Sequence, residues 1–248
     1  MERWRLLKLK PHNAPMNMAV DEAILTAKMQ GLAPNTLRLY CWKPSAVSIG
    51  KFQKVQDEVQ MENCRRYGVD VVRRITGGGA VYHDAEGEIT YSVVADKREL
   101  QTDNIGEIYR RIYAGIVEGL KILGVKADFH EGDAETSPNL TVNGKKISGS
   151  AQSHKKNAVL QHGTVLVDVD LEKMHVFLKN VKNEMTSVKA EVGRHISALE
   201  VTEAITEGFR KALNVKFESG ELTAYERSLA EKLYKEKYAT VDWNQKFT

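Results

Sequence analysis

The stretch with the most chemistry in it is Arg73-Arg74-Ile75-Thr76-Gly77-Gly78-Gly79-Ala80-Val81-Tyr82-His83-Asp84. Two arginines close an apolar run, Val69 to Val72; three glycines follow, and a second run begins at Ala80. Adjacent glycines cost backbone entropy and bury nothing. What they offer is close approach of a ligand to bare peptide N–H groups, through conformations closed to other residues. Guanidiniums beside such a loop would present fixed forks to phosphate or carboxylate oxygens. A tight turn beside a surface charge pair is the plain alternative. The loop is not the common phosphate loop, since no Gly-Lys-Ser/Thr closes it. It is not the dinucleotide fingerprint either, since Tyr82 stands where the third glycine belongs.

A second constellation is Leu140-Thr141-Val142-Asn143-Gly144-Lys145-Lys146-Ile147-Ser148-Gly149-Ser150-Ala151. Asn-Gly between two strand-like runs signals a hairpin with a type I′ turn. The strand period of two predicts Lys146, Ser148 and Ser150 on one face, with Ile147, Gly149 and Ala151 on the other. A lysine among small hydroxyls would offer a mobile point charge to a reacting carboxylate or phosphate; a solvated hairpin lysine is the alternative. His162, in Gln161-His162-Gly163-Thr164, sits mid-strand among apolar residues, where a hydrogen-bonded core histidine is the commoner outcome. Gly163 beside it suggests close backbone approach. The seven histidines have no metal-ligand spacing.

The elements that must position these residues follow from periodicity and punctuation. Strands are predicted at Trp4–Lys10, Thr36–Cys41, Ala46–Gly50, Val69–Val72, Ala80–Asp84, Gly87–Ala95, Val125–Phe129, both arms of the hairpin, and Val159–Val169. The Ala85-Glu86-Gly87 turn predicts pairing of Ala80–Asp84 with Gly87–Ala95. A helix is predicted after an Asn17 cap, with Asp21 and Glu22 suiting its dipole. A polar helical segment runs from Gln53 to Tyr67. Ile105, Ile108, Ile112, Ile116, Leu120 and Leu123 mark another helix, with Tyr109 and Tyr113 as packing residues. Helices at Leu171–Leu178, Thr202–Leu213 and Ala224–Tyr234 complete the chain. No repeat or linker interrupts it, so residues 1–248 read as one α/β domain.

The totals narrow the function. A chain of 248 residues with 42% hydrophobic and 28% charged residues has a soluble globular composition. A net charge of +3 makes no electrostatic case for nucleic acid. Two cysteines, Cys41 and Cys64, lie far apart without metal-ligand spacing and fit a reduced, cytoplasmic protein. No apolar run reaches membrane-spanning length.

Taken together, Arg-Arg-x-Thr-Gly-Gly-Gly-Ala-Val-Tyr-His-Asp, then Gly-Lys-Lys-Ile-Ser-Gly-Ser-Ala, then His-Gly-Thr, resembles the lipoate–protein ligase A family, which belongs with the biotin ligases and lipoyl/octanoyl transferases. Asn17-Met18-Ala19-Val20-Asp21-Glu22, Tyr40-Cys41-Trp42-x-Pro and Val47-Ser48-Ile49-Gly50-x-Phe52-Gln53 extend the likeness, which runs to about Asp168. The resemblance implies a mixed, largely antiparallel central sheet with flanking helices (α+β type) and a ligand tunnel over the sheet. It implies an enzyme that turns lipoate and ATP, with Mg2+, into lipoyl-AMP. The lipoyl group would then pass to one lysine of a lipoyl-domain protein, such as a 2-oxoacid dehydrogenase E2 or a glycine-cleavage carrier protein. By family position Lys146 would be the main catalytic residue. Arg74, Thr76, Gly77, Gly78 and Gly79 would line the acyl-adenylate, with Ser148, Gly149 and Ser150 beside Lys146. Ala80, Val81 and Tyr82 would lie against the nucleotide, Asn139 near the phosphates and His162 in the pocket wall.

The sequence also departs from that family. Leu140 stands where ligases commonly have an acidic residue, which leaves the metal ligands unassigned. Gln152-Ser153-His154-Lys155 replaces an arginine position. The chain has the short form, lacking the accessory C-terminal domain of long ligases, which implies a separate small accessory subunit. The rival readings are an ATP-independent octanoyl/lipoyl transferase and a non-catalytic lipoate-binding protein. A transferase of the cysteine type would need a thiol just before the hairpin, and His130 to Asn139 holds none. On that ground the ligase is the expected activity.

Overall fold

The computed structural model describes residues 1–132, 138–168, 170–181 and 184–247. Eleven strands are seen among them: β1 Glu2–His12, β2 Thr36–Trp42, β3 Ala46–Ile49, β4 Asp70–Arg73, β5 Val81–His83, β6 Glu88–Asp96, β7 Asp128–His130, β8 Asn139–Val142, β9 Lys145–Lys155, β10 Ala158–Leu166 and β11 Val215–Ser219. The helices are α1 Ala14–Met29, α2 Val55–Glu58, α3 Met61–Tyr67, α4 Ile105–Ile122, α5 Leu171–Phe177, α6 Val188–Val192, α7 Ala198–Leu213, α8 Ala224–Leu233 and α9 Val241–Asn244. A π-helical turn, Tyr234–Tyr238, continues α8.

Eight strands form the main sheet in the order β11-β1-β2-β6-β10-β9-β8-β7. β1 runs parallel to both β11 and β2; the other pairs are antiparallel. This is the mixed, largely antiparallel α+β fold that the resemblance implies. Side-chain alternation gives the sheet two apolar faces. Tyr91, Val93 and Val159 bury against α4 and α7, while Val94 and Leu160 bury against α1. A small sheet, β4-β3-β5, stands apart. The predicted pairing of residues 80–84 with 87–95 does not form: β5 pairs with β3, and β6 with β2 and β10. The turn after β5 therefore carries the chain from the small sheet to the main one.

Helix α1 starts earlier than its predicted cap. Asn13 is the N-cap, its side chain accepting from the Met16 N–H at 3.0 Å. Asn17 lies inside the helix, fully buried, and bonds the His12 and Cys41 carbonyls. The segment 53–67 breaks into α2 and α3. Val169, the end of one predicted strand, lies outside the described residues. The hairpin forms as read, with Asn143 and Gly144 at φ values of 50° and 80°, the positive values a type I′ turn requires. Among the described residues no helix is long and apolar enough to cross a membrane.

Candidate active site

A cavity of about 410 Å³ opens on the α1 side of the main sheet, beneath the small sheet. That volume suits a small ligand. Its floor comes from β9 and β10, which supply Lys146, Gly149, His162 and Thr164; its roof is the loop between β4 and β5. Of the residues expected there, Arg74, Gly78, Gly79, Ala80, Val81, Tyr82, Asn139, Lys146, Gly149, Ser150 and His162 border it. Thr76, Gly77 and Ser148 do not.

The one-face arrangement of Lys146, Ser148 and Ser150 fails for a local reason. Thr141 pairs with Lys146 but Leu140 pairs with Ser148, so Ile147 is an extra residue, a β-bulge. The extra residue inverts the alternation. Lys146 shares a face with Gly149, and Ser148 turns into the core, fully buried. Ser150 reaches the cavity rim, but its hydroxyl accepts from Gln161 Nε2 at 3.2 Å, on the other side of the sheet. Gly149 is required by what lies over it: a Cβ there would come within 2.6 Å of both Cε and Nζ of Lys146.

The two arginines are not the open forks expected of them. Arg73 spends its guanidinium on the carbonyl oxygens of Gly50, Lys51, Gln53, Trp243 and Asn244. Every N–H of Arg74 is also taken. Nε donates to Thr76 Oγ1 at 3.3 Å, Nη1 to the Ser48 carbonyl at 2.9 Å and its Oγ at 2.8 Å, and Nη2 to the Gly77 and Gly79 carbonyls, both at 2.9 Å. Burial lowers its pKa to about 10, so it remains a cation at neutral pH. The arginine pair builds the loop from within. Among the described residues lining the cavity, Lys146 is the one cation whose ammonium has no protein hydrogen bond. Burial lowers its pKa from the ordinary lysine value. The charge of Arg74 adds to that, and Glu88 opposes it.

Sequence reasoning missed four residues of this site. Asp21, read as a helix-dipole residue, is a buried hub that accepts from Arg38 at 2.7 Å, Ser92 at 2.9 Å, and Tyr40 and His162 at 3.0 Å. Burial alone would raise its carboxyl. The Arg38 charge and the bonds from His162 and Arg38 outweigh burial and hold the pKa below the usual carboxylate value. Ser48, His83 and Glu88 form a second buried group, with Ser48 Oγ 2.7 Å from His83 Nε2 and Glu88 Oε1 2.8 Å from His83 Nδ1. Trp42 stacks on the His83 ring at 4.0 Å. His162 lies with its ring against Thr76, 2.8 Å from Nε2 to Oγ1, and burial lowers its pKa. Neither cysteine lines the cavity. Burial raises both thiols, Cys64 to about 11. Of the thiol-free stretch 130–139, residues 133–137 lie outside the described residues. Among the described residues no three His, Cys, Asp or Glu side chains gather where they could hold a metal ion.

The sequence pattern of the lipoyl protein ligase A/B catalytic domain matches residues 13–210. The chain belongs to that family. Octanoyltransferase LipM of Clostridioides difficile (strain 630) is 37% identical over 273 residues, covering 99% of this chain and 100% of its own length. Further relatives of that name are 35% to 39% identical. A crystal structure of a lipoate-protein ligase A bound with ATP is 33% identical, covers 100% of each chain and superposes with a TM-score of 0.89. A bi-partite lipoate protein ligase from Thermoplasma acidophilum is 31% identical, covers 100% of this chain and 98% of its own, and has a TM-score of 0.84.

These relatives confirm the family and the fold but overturn the expected activity. The name shared by the curated relatives is that of a transferase, which moves an acyl group already held in an activated linkage. An ATP-driven ligase has to make that linkage. This lipoyl protein ligase A/B family member is thus an enzyme of the ligase/transferase group, and the adenylate-forming reading is withdrawn.

Proposed function

We propose that this chain is an acyltransferase that moves an octanoyl or lipoyl group from a carrier thioester to the amine of a lysine on a lipoyl-domain protein, without ATP. The observation that carries the reading is the commitment of both arginines to protein carbonyls and hydroxyls, which leaves Lys146 as the free cation. One mobile positive charge suits the single oxyanion that develops when an amine attacks a thioester carbonyl. The naming of the curated relatives agrees.

In this mechanism the acyl chain lies along the apolar lining that Met174, Leu178 and Val181 form together with Ala80, Val81 and Tyr82. The neutral amine attacks the carbonyl carbon and the carbonyl electrons move to oxygen, toward Lys146. When the tetrahedral species collapses, the C–S bond breaks and the sulfur leaves as a thiolate, which takes up the proton given up by the amine, so an amide and a free thiol result. No cysteine lines the cavity, so the acyl group passes directly to the amine in a complex of donor and acceptor. With no adenylation step, the reading calls for neither Mg2+ nor the small accessory subunit.

The test is mass spectrometry of a lipoyl domain incubated with this chain and octanoyl-carrier thioester, in EDTA and without nucleotide. Gain of one octanoyl group on the acceptor lysine is the expected result. Acylation that requires ATP and free octanoate would reject the reading.

A further inference from the structure

Two chains of the same chemistry end on Arg74. In one, His162 Nδ1 lies 3.0 Å from Asp21, and His162 Nε2 lies 2.8 Å from Thr76 Oγ1, to which Arg74 Nε donates. In the other, His83 Nδ1 lies 2.8 Å from Glu88, and His83 Nε2 lies 2.7 Å from Ser48 Oγ, to which Arg74 Nη1 donates. A carboxylate accepts only, so each Nδ1 carries a hydrogen, and in the neutral ring each Nε2 keeps the lone pair. Each Nε2 therefore takes the proton of its hydroxyl, whose oxygen is left to accept from the guanidinium. Tautomer, hydroxyl rotor and guanidinium are fixed by one arrangement. Ser48 and Thr76 are also sealed, at 0% and 1% exposure, and each oxygen is occupied by Arg74. That geometry suits support better than nucleophilic attack.

Arg74 uses its remaining nitrogen, Nη2, on the carbonyls of Gly77 and Gly79. In a trans peptide the N–H points opposite to the C=O. The N–H groups of Gly78 and Ala80 therefore turn away from the guanidinium. Among the described residues nothing accepts from either one.

We propose that Asp21–His162–Thr76 and Glu88–His83–Ser48 are paired positioning chains that hold Arg74, and through it two peptide planes of the glycine loop, so that the Gly78 and Ala80 N–H groups are preset as donors to the ligand. That the ligand is an acyl thioester rests on the proposed transfer reaction. Asp21, His83, Glu88 and Ser48 act through Arg74, and their loss changes the geometry of the loop before it changes the affinity for the acyl chain.

The experiment pairs Thr76→Val, which keeps the branched shape without the hydroxyl, with Thr76→Ser, which keeps the hydroxyl. Ser48→Ala serves as the independent variant for the second chain. Hydrogen exchange of the Lys51 and Arg74 amides, which bond the Thr76 and Ile49 carbonyls at the loop, and kcat for octanoyl transfer are both measured. Thr76→Val and Ser48→Ala should exchange faster at Lys51 and Arg74 and lose about 100-fold in kcat with KM little changed, the scale set by small misplacement of catalytic groups. Thr76→Ser should restore both. Unaltered loop exchange in Thr76→Val and Ser48→Ala overturns the proposal, as does a lower melting temperature with unaltered kcat. An octanoyl ester mapped to Ser48 or Thr76 overturns it in favour of a covalent role. If the wild-type chain transfers nothing without ATP, the transfer reading fails, and the exchange measurement decides the positioning proposal on its own.

Discussion

Lys146 stands in the cavity without a protein hydrogen bond, so replacing it can separate its amine from its packing. Lys146→Met preserves length and removes the ammonium. Transfer should fall roughly 100- to 1,000-fold, as for loss of one oxyanion donor. The melting temperature should hold or rise, because removing an unpaired, desolvated charge does not weaken the fold. Parallel melts and rate measurements check both halves. Gly149→Ala makes the complementary test. The new Cβ displaces the end of a flexible side chain, since the clash is with Cε and Nζ of Lys146. The protein should fold with near-normal stability and lose transfer rate. His162 sets the acid limit. Burial lowers its pKa, Arg74 and His83 lower it further, and the Asp21 bond and charge oppose. Protonation would put the ring's second hydrogen on Nε2, the nitrogen that must accept from Thr76. The rate should therefore survive acidification past the ordinary histidine value of about 6.5 and fail only below it; a kcat–pH profile with its acid limb at or above that value would contradict this. At this scale the sequence made Lys146 and the glycine loop legible through motif spacing. It could not reveal the partners of Asp21 or Ser48, because His162 and His83 are 141 and 35 residues away from them.

At the scale of elements, α4 and α7 pack so closely that their contact is backbone on backbone. A Cβ at Gly208 would lie 2.3 Å from the Gly115 carbonyl oxygen and the Gly119 nitrogen. Neither can swing aside as a side chain does. Gly208→Ala should cost about 1–3 kcal/mol, the usual penalty of overpacking, measurable by denaturant unfolding. The helices themselves were legible. The Ile105-to-Leu123 stripe is a one-dimensional signal, with Asp103 or Asn104 able to cap it, and the structure uses Asn104, whose side chain accepts from the Glu107 N–H. Strand partners were less so. Residues 80–84 and 88–96 look like a hairpin in sequence, yet they belong to different sheets. Gly87 packs so tightly against the Asp168 carbonyl that a Cβ there would come within 2.2 Å of its oxygen. The bulge at Ile147 was also invisible, because a strand's sequence alternates in the same way whether or not its partner skips a residue. That one residue moved Ser148 from the site to the core.

Across the whole molecule, the first strand is locked to the C-terminal helices by a buried pair. Arg5 donates to both Glu226 oxygens at 2.6 Å and to Thr36. Burial alone would raise the Glu226 carboxyl, but the Arg5 bond and the Thr223 N–H lower it overall. A folded pKa below the unfolded value means that this stabilisation is complete above roughly pH 4.3 and is lost as pH falls through the folded value. Glu226→Ala leaves Arg5 buried without its counter-ion and should destabilise by about 3–5 kcal/mol near neutrality, with a smaller difference from wild type in acid. Unfolding curves at two pH values read both. The grip of α9 on Arg73 acts over a similar span. The Arg73 N–H donates to Asn244 Oδ1 at 2.8 Å across 171 residues, and Trp243 Nε1 returns a bond to the Arg73 carbonyl at 2.9 Å. On a ribosome adding about 5–20 residues per second, Arg73 is made roughly 10 to 30 seconds before these partners exist. Until they arrive the glycine loop lacks half its frame, so a nascent chain can bury most of its sheet while its acyl site is still unformed.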